Sequence, residues 1–162
     1  MNKEQIYALL NEAQIWHEIM EHAAVYNMAE FAELNLPHSD ADAKNLLIRD
    51  DKKEHYFLIT IKGEKRVDLK AFRQTHGTRK LSFASAEDLM ATLGLIPGAV
   101  TPLGLLNDTE GKVALFLDQD FFEGSGLIGV HPNDNTATVW LKATDLVALL
   151  REHGHTVNVV QL

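Results

Sequence analysis

Three short stretches of this chain combine residue types that could do chemistry together. Lys44-Asn45-Leu46-Leu47-Ile48 places a cation at the mouth of an apolar strand. A compact ammonium there can hold a phosphate or polarise a carbonyl, and Asn45 beside it offers both a donor and an acceptor. Gly98-Ala99-Val100-Thr101-Pro102 joins a residue free in φ to one that is fixed, with small or β-branched side chains between. Such a loop brings backbone N–H and C=O groups close to a small ligand. Thr101 adds a hydroxyl, although a residue preceding proline is conformationally restricted and packing could be its whole role. Gly129, His131 and Pro132 form the third stretch, in which an imidazole at a strand end could exclude bulk or hydrogen-bond a carbonyl. Each piece also has an ordinary reading, as a surface lysine, a connecting loop and a structural histidine. Jointly they read as the walls of a small-ligand pocket.

Other chemistries find no support. Cysteine is absent, which excludes disulfides, thiolate metal sites and a Cys nucleophile. Gly124-Ser125-Gly126-Leu127-Ile128-Gly129 spells a dinucleotide fingerprint, but Val130, His131 and Pro132 follow where a helix would have to begin. His17, Glu18 and His22 lack the four-residue spacing that puts two ligands on one helical face. His153 and His155 straddle a helix stop at Gly154, where a cation suits the helix dipole. Asp118 and Asp120 read as caps. Neither a metal nor another cofactor is expected.

The elements that must carry these stretches alternate between helices and strands. An apolar stripe of Ile6, Leu9, Leu10 and Ala13 predicts a helix over 5–13, and residues 15–20 alternate as a strand. Asn27 and Glu30 form a capping box for a short helix, and 35–43 is a loop delivering Lys44. Strands are predicted at 46–48 and 56–61, joined as a hairpin, and at 81–84, 103–106, 113–117, 128–130, 136–141 and 156–160. Asp68, Ser85 and Thr144 start further helices. Many neighbours are joined by turns too short for parallel crossovers. The reading is α+β: a single domain over 1–162, with a mixed, mostly antiparallel sheet and helices packed around it.

Bulk composition agrees with a folded domain, hydrophobic residues being 46% of 162. No apolar run is long enough to span a membrane and no signal peptide is legible, which suits the cytoplasm. Net charge is -8, yet residues 44–80 hold eleven of the fifteen Lys and Arg against five acids. A basic zone on an acidic body can steer one end of a polyanion while repelling its bulk, though a solvated surface would look the same.

The three stretches together resemble the YbaK/prolyl-tRNA-synthetase-associated family of aminoacyl-tRNA deacylases, and within it the free-standing branch that edits alanyl-tRNA(Pro). Lys44 to Ile48 matches the family's K-N-L-F-L-type motif, Gly98 to Pro102 its G-x-x-x-P loop, and His131, Pro132, Asn135, Ala137 and Thr138 its H-P-x-x-N-x-A-T segment. Leu47 replaces a common phenylalanine, and Asn133 stands where an apolar residue is usual, which bears on substrate choice.

The resemblance implies hydrolysis of the ester that joins a wrong, small amino acid to the acceptor end of tRNA. It implies Lys44 at the terminal phosphate or carbonyl, Asn45 orienting the ester, Gly98 and its backbone at the amino acid, and His131 as a wall. Ala99, Val100, Thr101, Pro102, Gly129 and Pro132 would surround the substrate. Transient contact with prolyl-tRNA synthetase or an elongation factor would deliver it. Two alternatives stay open: editing of Ser-, Thr- or Cys-charged tRNA, and a non-catalytic module that binds tRNA or a nucleotide. The oligomeric state is not legible.

Overall fold

The computed structural model describes residues 1–162. Its helices are α1 (Lys3–Glu12), α2 (Met28–Glu33), α3 (Leu69–His76), α4 (Ala86–Leu93) and α5 (Ala143–Glu152). Its strands are β1 (His17–Glu21), β2 (Ala43–Asp50), β3 (Tyr56–Lys62), β4 (Leu81–Phe83), β5 (Val113–Asp118), β6 (Leu127–Val130), β7 (Ala137–Lys142) and β8 (Val157–Val160).

The strands form two sheets where the sequence suggests one. A small antiparallel sheet has the order β1-β7-β6, and a larger mixed sheet the order β4-β2-β3-β5-β8. Four of the six strand pairings are antiparallel, the parallel ones being β3 with β5 and β5 with β8. The division follows from the apolar pattern. Ile128, Val130, Val139 and Leu141 line one face of the small sheet at period two, and Leu47, Leu58, Leu115 and Leu117 do so in the large one. Both faces need apolar cover, and stacking them into one core of 24 buried residues removes both from water. The reverse face of the large sheet buries Ile48, Ile59, Ile61 and Phe116 under Phe72 of α3.

Local chemistry fixes the element ends. Asn2 and Gln5 make a capping box on α1, and Ser85 with Asp88 does the same for α4. The β2–β3 hairpin runs in register from Ala43 opposite Lys62 to Arg49 opposite Tyr56. Buried Asp50 holds its turn by accepting the Glu54 N–H at 2.9 Å.

One predicted strand is a helical turn. Residues 103–106 belong to a 3-10 helix, Pro102–Asn107. Pro102 has no N–H to give a ladder and suits a helix start, while the Thr101 hydroxyl accepts from Leu103 N. Gly104 completes the fit, since a Cβ there would lie 2.6 Å from Leu95 Cδ1.

Candidate active site

The two sheets approach each other where β2 begins and β6 runs towards His131. Between them lies a cavity of about 270 Å³, closed by the segment before and within α2 and by the loop carrying Gly98. Six of the ten residues expected at the site line it: Lys44, Asn45, Gly98, Val100, Gly129 and His131. Ala99, Thr101, Pro102 and Pro132 do not, because each is buried behind that wall. Asn133 is also outside the lining. It occupies a left-handed turn (φ 60°), which asparagine tolerates, and donates to the Met1 carbonyl at 3.0 Å.

Each lining group is held by a specific contact. Asn45 Oδ1 accepts from the buried Thr60 hydroxyl at 2.7 Å, which orients the amide and leaves its NH2 for a ligand. Gly98 has φ of 90°, and a Cβ there would lie 3.0 Å from Tyr26 Cδ1 and 3.2 Å from the Val25 carbonyl oxygen. Conformation and space therefore both demand glycine. The amides of Gly98 and Val100 make no hydrogen bond within the protein and remain free to donate. Thr101, fully buried, donates its hydroxyl to the His131 carbonyl at 2.7 Å.

The protonation states follow from acceptor chemistry. His131 Nδ1 sits 2.9 Å from the Ala137 carbonyl oxygen. A carbonyl only accepts, so Nδ1 carries the proton and Nε2 presents a lone pair. Burial holds the His131 imidazole below the usual histidine range, which favours that neutral form. His22 repeats the pattern: Nδ1 donates to the Ala23 carbonyl at 2.8 Å, and Nε2 lies 2.9 Å from Thr138 Oγ1. Thr138 and His22 Nε2 share one hydrogen bond, and the hydroxyl keeps a lone pair for the cavity it lines. The rings of His22, Phe31 and His131 meet edge to face at centroid distances of 6.3–6.5 Å. Lys44 is the one residue of the lining with a full charge, and no carboxylate faces it.

Sequence reasoning missed the wall supplied by Val25, Tyr26, Met28 and Phe31. The expected Asn27–Glu30 capping box located that segment, and half of it forms: Glu30 N donates to Asn27 Oδ1 at 2.9 Å, while the Glu30 carboxylate accepts from Tyr26 N at 2.8 Å instead of from Asn27 N. Nothing local says that the segment folds over Lys44. The glycines from 124 to 129 lead into β6 and no helix, and no three His, Asp or Glu side chains cluster as a metal site.

What this cavity can do is offer a single cation, free backbone donors and the His131 imidazole to a polar ligand, with the Thr138 hydroxyl held against His22. Comparison with known proteins gives the class. Residues 22–149 match the aminoacyl-tRNA editing domain, and the chain belongs to that family. It is 36% identical over 160 residues to the prolyl-tRNA editing protein ProX of Acetoanaerobium sticklandii, covering 99% of this chain and 97% of the relative. It is 32% identical to prolyl-tRNA synthetase associated domain-containing protein 1 of Bos taurus, over 85% of this chain and 82% of that one. The fold is shared with a crystal structure of a candidate trans-editing enzyme for prolyl-tRNA synthetase. That match has a TM-score of 0.72 at 19% identity and covers 99% of this chain and 96% of the other.

Proposed function

We propose that this protein is a trans-editing aminoacyl-tRNA deacylase whose substrate is Ala-tRNA(Pro). The observation that carries the reading is the meeting of Lys44, the Gly98 loop and His131 on one cavity. The nucleophile in this reading is water, as in family proposals. It adds to the ester carbonyl, the bond to the ribose oxygen breaks, and the proton lost by water passes to that oxygen as it leaves. The substrate's neighbouring ribose hydroxyl, in family proposals, assists that transfer.

The lining has a place for each charge that develops. The free amides of Gly98 and Val100 can donate to a carbonyl oxygen as it becomes an oxyanion. Lys44 supplies the positive charge for that oxygen or the terminal phosphate, and the Asn45 NH2 orients the ester. The His131 lone pair suits the ammonium of the amino acid or a ribose hydroxyl.

A second pocket is useful here because a synthetase site built for proline rejects smaller alanine by only about 1–3 kcal/mol. Gly98, backed by Tyr26, and His131, tied at both ends, are rigid walls that can exclude the larger ring. We place the protein in the cytoplasm, receiving mischarged tRNA from prolyl-tRNA synthetase or an elongation factor. No helix is long and apolar enough to cross a membrane.

The test compares hydrolysis of Ala-tRNA(Pro) and Pro-tRNA(Pro), with Lys44→Ala as control. Loss of alanine, retention of proline and a fall of about 100-fold or more in the variant are expected. Thr138 gives one reason to add serine: its lone pair could accept from a serine hydroxyl. A panel of Ser-, Thr- and Cys-charged tRNA therefore runs alongside. Hydrolysis of none of these esters would leave a binding module as the reading.

A further inference from the structure

Tyr26 is an aromatic ring held firmly and left uncovered. It lines the cavity yet is 61% exposed, as much as any large apolar side chain except Phe83 at 62%. Its support is rigid. The Tyr26 N–H donates to Glu30 Oε2 at 2.8 Å. The preceding residue, Val25, is buried, and its carbonyl accepts from Asn135 Nδ2 at 2.8 Å. The ring edge rests over Gly98, where a side chain would collide with Cδ1 at 3.0 Å. The ring pairs with no other aromatic side chain, and the hydroxyl makes no hydrogen bond within the protein. A bare ring fixed at a cavity mouth, with Lys44 in the same lining, is the pairing of π-surface and cation that single-stranded nucleic acids use.

Geometry says which part of a substrate would reach it. The cavity, about 270 Å³, is many times the ~10–15 Å³ that one water requires on the same measure. An aminoacyl ester and its ribose take up such a space. The base on the same ribose then emerges at the mouth, where Tyr26 stands.

We propose that the exposed face of Tyr26 is a stacking platform for the terminal adenine of the tRNA acceptor end, a nucleobase subsite outside the ester cavity. This rests on the deacylase reading above. Stacking reads no sequence; it sets how the ester is presented and contributes to affinity for any acceptor end.

Two measurements test it. The first is kinetic, using alanylated acceptor helices whose terminal nucleotide carries adenine or lacks its base. Tyr26→Ala is expected to lower kcat/KM on the adenine substrate by roughly 5- to 150-fold, mostly through KM, while Tyr26→Phe stays near wild type. Removing the base should cost the wild type a similar factor and cost Tyr26→Ala little more. Equal losses for Tyr26→Ala on both substrates, or no loss, would overturn the platform.

The second measurement is independent of turnover. Uncharged CCA trinucleotide is titrated into protein labelled on its tyrosine rings, of which there are three. A saturable upfield shift confined to Tyr26 is expected. Its absence overturns the proposal even if esters are hydrolysed. Its presence in a protein that hydrolyses no ester would retire the deacylase reading and keep the base site.

Discussion

The buried hydroxyl of Thr101 donates to the backbone carbonyl of His131 at 2.7 Å, tying together two walls that lie thirty residues apart. Since Thr101 also accepts from Leu103 N, one side chain sets both the start of a helical turn and the position of the imidazole. Thr101 thus acts behind the site.

Thr101→Val keeps the shape and removes the donor. The His131 carbonyl is left without that partner, and a loss of about 1–3 kcal/mol in stability is expected. Urea denaturation measures it. Deacylation should fall mainly in kcat, since the displaced ring distorts the site.

Gly98→Ala faces both a left-handed backbone and a contact with Val25 and Tyr26. The strain costs about 1–3 kcal/mol, and relief requires the loop to withdraw from the cavity. Hydrolysis of the alanyl ester is expected to drop at least ~10-fold, with the urea midpoint lowered alongside. A fully active, fully stable variant would contradict the wall assigned to this loop.

Burial depresses the His131 pKa, and His155 is depressed for the same first reason. Between the folded and unfolded values, the unfolded chain binds more protons, so stability rises with pH through that window. Their contribution is fully present above about 6.5, the ordinary histidine value, and is lost as pH falls towards the lower folded values. His131→Asn should flatten that dependence in part, His155 retaining the remainder. The same protonation removes the Nε2 lone pair, so kcat/KM is expected to be level near neutrality and to decline on the acid side.

His22 and Thr138 form one unit, in which a histidine fixed by the Ala23 carbonyl turns the threonine hydroxyl. Thr138→Val and His22→Phe are each expected to lower deacylation about 10-fold, and the double variant no further. Additive losses in that cycle would show that the two act separately. His22→Gln, whose amide oxygen can accept from Thr138, should recover part of the loss.

What was legible in the sequence was whatever chemistry forces locally. A glycine three residues before Thr101-Pro102, a helix N-cap at Asn27 and a histidine followed by proline each declare themselves without a partner. Residues 103–106 misled because alternating leucines fit a strand as well as a tight helical turn, and Pro102 decided it. Asp118 showed only its role as a cap on Asp120 N; in the fold it is fully buried and also meets the Lys65 ammonium at 3.0 Å. The basic stretch was visible as composition alone. Lys65 pairs with Asp118 and Asp120, and Arg79 with Asp51, so part of that charge is already compensated internally. Tyr26 and Phe31 were invisible as walls because their role depends on a segment folding across a distant strand.

The cavity is bounded by one sheet at Lys44 and by the other at Gly129. Its aperture therefore depends on how far apart the two layers settle, and the core leucines and valines between them act as spacers. A methyl group added or removed at Leu58 or Val139, neither of which touches substrate, would reset the width of the sieve. Selectivity between alanine and the two-carbon-larger ring of proline could then drift in this lineage while every residue facing the ester stayed the same.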